Sequence, residues 1–182
     1  MSQIAIACSG PCPQSRDDKG EIALRSKLFQ PTSFVIFLLQ PHFKNFNKRI
    51  IKSPKIYFYD TGLLCFLLRI RSPEDLVSHP LRGAIFENWV VSEILKQFAA
   101  LGETSPLYFW RDQHGHEVDL VEDLGTFLAL NEIKSGETFQ PDFTESIAWL
   151  NGLQKKSGGR VIYGGSDSYT YQDIQVTSWQ DV

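Results

Sequence analysis

"HEVDLVEDLGTFLALNEIK" (residues 116–134) holds two short apolar-rich runs separated by "EDLGT". Runs of this kind, broken by a Gly-containing segment, read as two strands and a turn. If the turn centres between Gly125 and Thr126, antiparallel pairing puts Asp119 opposite Glu132 or next to it, with opposed Cβ atoms about 5 Å apart. Glu132 and Lys134 are two apart, so in a strand both point the same way. Two readings stand open. In one, the charges converge on a hard cation, Mg²⁺ or Mn²⁺, held by carboxylate oxygens and several waters. Such a cation lowers the pKa of a bound water and stabilises charge on a phosphate, while Lys134 orients the water. In the other, they are surface charges on two ordinary strands.

The flanking sequence predicts a sheet covered by helices. "LYFW" reads as a strand joined to "HEVDLV" through the turn "RDQHG", in which His114 and His116 read as exposed histidines beside Asp112. Upstream, "LRGAIFENWVVSEILKQFAALG" reads as a long helix ending near Gly102. At about 100° per residue, Val90, Val91, Ile94, Leu95 and Phe98 share an apolar face, with Ser92, Glu93, Lys96 and Gln97 opposite. Glu87 falls in the middle of the apolar face, where a carboxylate is costly without a partner or a metal. The alternative is a first-turn Glu that favours the helix dipole and reaches solvent. Downstream, "PDFTESIAWLNGLQKKSGG" predicts a helix opened by Pro141, with Asp142 and Glu145 in its first turn and Lys155 and Lys156 in its last. "RVIYGG" is a further strand and "YTYQDIQVTSW" one more. The order from residue 82, helix, three strands, helix, strand, makes residues 72–182 an α/β domain.

Residues 33–71 have a different texture. "FVIFLL" and "KIYFY" are strand-like, and the connection between them is basic: Lys44, Lys48, Arg49, Lys52 and Lys55. A strand pair with a basic connection resembles the wing of a winged helix and is a candidate nucleic-acid contact; a solvated loop is the alternative. "DTGLLCFLLRI" follows, with Asp60 as N-cap, and its apolar residues all round predict a buried helix. "SPEDLV" has Ser72 and Asp75 in capping-box spacing and Pro73 at the first helical position. Residues 1–32 are turn-rich and polar and read as a flexible leader. That leader is expected to cover the hairpin poorly, so that the exposed hairpin promotes self-association or needs a partner.

Charge divides the chain. Residues 33–71 carry seven Lys/Arg against Asp60, while residues 72–182 carry seven Lys/Arg against seventeen Asp/Glu. The basic part suits phosphates; the acidic part repels them unless cations intervene. No apolar run is long enough to span a bilayer, and no signal peptide is read. Three cysteines, Cys8, Cys12 and Cys65, have no zinc spacing, and a cytoplasmic setting is expected.

Several stretches together carry a resemblance: "SFVIFLLQPHFKNFNKRIIKSPKIYFYDTGLLCFLL", "HPLRGAIFENWVVSEILK", "YFWRDQHGHEVDLV", "NEIKSG" and "VIYGG…IQVTSW". Over residues 33–182 the chain resembles the C-terminal domain of unknown function of prokaryotic AAA+-type ATPases, which is similar to the PD-(D/E)xK nuclease superfamily. The resemblance implies a restriction-endonuclease-like mixed sheet flanked by helices, preceded by a partial winged-helix hairpin. It puts Glu87 on the first core helix, Asp119 on the metal-binding strand, and Glu132 with Lys134 as the (D/E)xK element; the backbone carbonyl of Ile133 also faces the metal. It implies Mg²⁺ or Mn²⁺, DNA and an AAA+-type ATPase as partners. No G-x-x-x-x-G-K-[ST] is present, so ATP binding by this chain is not expected. The chain therefore resembles the far end of a longer protein. A metal-dependent nuclease and a non-catalytic DNA- or partner-binding module are both compatible with this pattern.

Overall fold

The computed structural model describes residues 34–42, 53–153 and 157–182. The expected leader (residues 1–32) and Lys44, Lys48, Arg49 and Lys52 lie outside the described residues. Eight strands form one mixed sheet: β1 (Ile36–Pro41), β2 (Lys55–Phe58), β3 (Leu107–Arg111), β4 (Glu117–Asp123), β5 (Leu128–Lys134), β6 (Ser157–Tyr163), β7 (Tyr169–Tyr171) and β8 (Ile174–Ser178), in the spatial order β2-β1-β3-β4-β5-β6-β8-β7. Among the described residues four α-helices accompany them: α1 (Thr61–Leu67), α2 (Pro73–Ser78), α3 (Arg82–Ala100) and α4 (Glu145–Leu153). The expected α/β class is what the chain adopts. No helix among the described residues is long and apolar enough to cross a membrane.

The sheet is covered on both faces. Val161, Ile162 and Tyr163 of β6 point alternately to two cores, as the strand period requires. Ile162 joins Val90, Val91 and Ile94 of α3, while Val161 and Tyr163 join Ile147 and Leu150 of α4. Close approach of β6 to α4 needs Gly159, since a Cβ there would lie 2.4 Å from Cγ2 of Ile147. Gly159→Ala is therefore expected to destabilise the fold by about 1–2 kcal/mol, because overpacking a filled core displaces side chains or backbone. Urea denaturation checks this; an unchanged midpoint would show that α4 yields freely.

The central hairpin turns where expected. β4 and β5 pair from Asp123–Leu128 to Leu120–Asn131, which centres the turn between Gly125 and Thr126. Gly125 supplies φ +83°, a left-handed conformation that glycine adopts without steric cost. The other end of β4 is irregular. Tyr108 pairs with Val121 and Trp110 with Val118, so Phe109 faces two residues, Asp119 and Leu120. This is a β-bulge. It sends Leu120 into the α3-side core while Val118 and Val121 both enter the α4-side core.

The hairpin expected in residues 33–71 exists as the antiparallel pair β1–β2. It continues the main sheet, because β1 also pairs in parallel with β3. Both predicted caps form: Asp60 accepts from the amide of Leu63 at 2.9 Å, and Ser72 and Asp75 make a reciprocal capping box.

Other expectations need correction. α1 is not a buried helix: none of its residues is fully buried, and Phe66 is 76% exposed. Apolar residues all round a two-turn helix at the sheet edge outnumber the neighbours available to cover them. Ser92, expected on the polar face of α3, is buried, with its hydroxyl donating to the carbonyl of Trp89. The segment from Pro141 opens as a 3₁₀ turn, Pro141–Thr144, before α4 begins at Glu145. The single strand expected in "YTYQDIQVTSW" is a hairpin, β7–β8, turning through Gln172 (φ +46°) and Asp173 (φ +65°).

Candidate functional site

A cleft of about 450 Å³ opens beside the ends of β4 and β5, lined by Glu117, Asp119, Glu132 and Lys134 from the strands and by Glu145, Ser146 and Trp149 from α4. Asp119, Glu132 and Lys134 thus meet in one cleft. Asp119 leaves β4 within the bulge. One step past the last pair of the β4–β5 ladder, its Oδ2 accepts the backbone N–H of Ile133 at 2.9 Å. Ile133 therefore enters the site through its amide hydrogen bond to Asp119. Glu132 follows from the alternation of β5 and is 5% exposed. Its Oε1 accepts from Nζ of Lys134 at 2.6 Å, and its Oε2 is buried without a hydrogen-bond partner.

Glu87 reaches the same cluster from α3, and the cost of its place on the apolar face is met by protein groups. Its Oε1 accepts from Nζ of Lys55 at 2.9 Å and from the Tyr57 hydroxyl at 2.5 Å. Both partners come from β2. Lys55, expected in the basic loop, lies instead among carboxylates: its ammonium is 2.5 Å from Glu117, 2.9 Å from Glu87 and 3.8 Å from Asp119. Of the five basic residues expected to meet nucleic acid, the one described here serves this internal network. Arg111 lies 3.4 Å from the second oxygen of Glu117.

Electrostatics follow from this crowding. Burial pushes the Asp119 carboxyl well above the usual carboxylate range, and repulsion from Glu87 and Glu132 adds to it, against the pull of Lys55 and Lys134. Burial also raises Glu132, opposed by Lys134 and assisted by Glu117 and Glu87. Burial alone would lower both lysines. Tyr57 and the carboxylates around Lys55 hold it well above its ordinary value, and Glu132 and Asp119 raise Lys134.

Among the described residues, no group of three or more His, Cys, Asp or Glu side chains is arranged to hold a metal ion. A smaller donor set does fit a hard cation. Oε2 of Glu132 is a buried oxygen with no hydrogen bond, and Asp119 has one oxygen committed to Ile133 and the other 3.8 Å from Lys55. Two carboxylates with solvent-filled remaining positions is how Mg²⁺ is commonly bound. A buried oxygen without a donor is otherwise unfavourable.

The sequence reading did not combine Lys55, Tyr57 and Glu117 with this cluster. The available signal was a Lys-x-Tyr strand, whose alternation points both groups the same way. His114 and His116 are exposed in the turn, as expected, while Asp112 beside them is 1% exposed and accepts from His116 Nδ1 at 3.0 Å.

Comparison with known proteins shows the family of the chain. A family model described as a domain of unknown function, DUF4143, matches residues 82–182, and a second such model, DUF8612, matches residues 31–74. Uncharacterized proteins of Mycobacterium bovis and Mycobacterium tuberculosis are each 45% identical over 144 residues, covering 79% of this chain and 31% of the relative. The chain thus spans about a third of the length of these curated relatives. No solved structure matches.

Proposed function

Because the chain belongs to the DUF4143 family, a domain of unknown function, its chemistry rests on its own residues, and we propose that it is a metal-dependent phosphodiester hydrolase module acting on nucleic acid. The observation that carries this reading is the unpartnered, buried Oε2 of Glu132 in a cleft shared with Asp119 and Lys134. Asp119 and Glu132 would hold Mg²⁺ or Mn²⁺, with Glu87 assisting from the same cluster. When bound, the cation supplies Lewis acidity and a water of lowered pKa. Lys134, fixed on Glu132 and raised in pKa, stays charged and orients the attacking water toward phosphorus. The Ile133 amide holds the Asp119 carboxylate in place. In this reading the module works beside an AAA+-type ATPase, as the sequence resemblance implies.

Lys55 favours a second reading. Its ammonium already lies among Glu87, Glu117 and Asp119 as an internal cation. A non-catalytic module that binds DNA or a protein partner would need nothing more.

Plasmid nicking separates the two. The wild-type chain is expected to nick supercoiled DNA with Mg²⁺ or Mn²⁺ and not with EDTA. Lys134→Ala is expected to reduce the rate by about 100-fold, the usual penalty for a misplaced reactant. Its thermal midpoint should fall, since the buried Glu132 carboxylate loses its hydrogen-bond donor, and circular dichroism verifies that the variant is folded. Equal nicking by wild type and variant would assign the activity to a contaminant and leave the non-catalytic reading.

A further inference from the structure

Hydrolysis of an unactivated phosphodiester needs a proton for the departing oxygen, and Lys134 is committed to Glu132. The same cleft has a second wall with no part in the reading so far. Gly115, His116 and Trp149 line it. His116 is built rather than loose. Its Nδ1 lies 3.0 Å from Oδ2 of Asp112, and its ring stacks on Trp149 at 4.1 Å with 8° between planes. Trp149 is packed in turn against the buried Trp110, with ring centroids 5.1 Å apart.

Asp112 is held as firmly. Its Oδ1 accepts the backbone amides of His114 and His116 at 2.8 and 3.0 Å. Burial would raise its carboxyl, but the bonds from His116 and the two amides outweigh that and hold it below the usual range. Its other oxygen, Oδ2, faces Nδ1 of His116. His116 is exposed, and these contacts fix the orientation of its ring. A buried aspartate on Nδ1 fixes the tautomer and leaves Nε2, for which no partner exists among the described residues, available in the cleft.

We propose that His116 is the general acid of the phosphodiester cleavage, with Asp112 as its positioning residue. The inference rests on the hydrolase reading above. In the step, the water oxygen forms a bond to phosphorus as the P–O bond to the leaving group breaks. The leaving oxygen takes the proton from Nε2 of His116, and the proton lost by the water passes to bulk solvent, which later reprotonates the imidazole. Asp112 stabilises the imidazolium before the transfer. His114 and Glu117 flank the ring along the chain, and Glu145 faces the cleft from α4.

The test is a leaving-group comparison. Rates are measured with Mn²⁺ for plasmid nicking, whose leaving alkoxide needs a proton, and for bis(p-nitrophenyl) phosphate, whose leaving phenolate does not. His116→Gln is expected to lower the ratio of the first rate to the second by about 100-fold, the scale of general acid catalysis. Asp112→Asn is expected to lower it about tenfold, and circular dichroism verifies that both variants are folded. An unchanged ratio, with both rates falling together or neither falling, overturns the assignment while leaving the hydrolase reading intact. A wild-type chain that cleaves neither substrate overturns the hydrolase reading, and this inference with it.

Discussion

Asp119→Asn is expected to make the protein more stable at neutral pH and at the same time inert as a hydrolase. The native environment opposes the charge: burial first, then Glu87 and Glu132, push the Asp119 carboxyl well up. The native state therefore holds a proton at pH values where the unfolded chain, with a carboxyl near the ordinary value of about 4, has released it. Stability from this group is fully present below the unfolded pKa and is lost as pH rises through the raised native one. Asparagine removes that penalty and keeps an oxygen to accept the Ile133 amide. The expected gain is about 0.5–2 kcal/mol near pH 7.5, typical of a functional residue replaced by a stabilising one. Nicking should fall by about 1000-fold, because a metal-binding carboxylate supports several kcal/mol of transition-state stabilisation. Thermal midpoints between pH 5 and 8 provide the control: the wild type should gain on the variant as the solution is acidified. Parallel profiles would show that Asp119 is already fully ionised in the native protein.

Lys55→Met should have the opposite effect on stability. It leaves Glu87, Glu117 and Asp119 without their shared cation, and removing one partner of a buried pair costs about 3–5 kcal/mol. The Lys55 side chain is 22% exposed, so water offsets part of this and about 2–4 kcal/mol is expected. Binding of Mn²⁺ should tighten by about tenfold or more, since a unit charge about 4 Å away is worth several kcal/mol at intermediate dielectric. Titration followed by calorimetry reads the affinity, and denaturation reads the stability. Unchanged Mn²⁺ binding would mean that Lys55 does not compete for these carboxylates.

What the sequence made legible was local. The turn at Gly125 was readable because only a glycine adopts φ +83° freely. The position of Glu87 was readable because a carboxylate in an apolar stripe requires an explanation. The partners that supply it were not, because Lys55 and Tyr57 lie some 30 residues away in sequence and arrive by strand order, which periodicity does not encode. The β7–β8 turn was missed because Gln172 and Asp173 adopt positive φ without glycine. The all-apolar pattern of α1 describes the helix and says nothing of its neighbours, so exposure of Phe66 was illegible. In the turn after β3, the aspartate and two histidines were visible as residue types. The bond between Asp112 and His116 depended on the path of the loop.

The bulge opposite Phe109 sets a rule of parity for this gene segment. Between Val118 and Val121 the chain contains two residues where a regular ladder would have one. Deleting either would restore even pairing with Val118 and Val121 still on one face, but would leave a single side chain opposite Phe109. Either the Asp119 carboxylate or the Leu120 core side chain would then be lost, and one residue cannot serve the cleft and the α3-side core together. Glu103 and Thr104, in the loop before β3, are exposed, so added residues there would change only the reach of the loop. Length variation among homologous chains should therefore collect in that loop and be absent between Val118 and Val121.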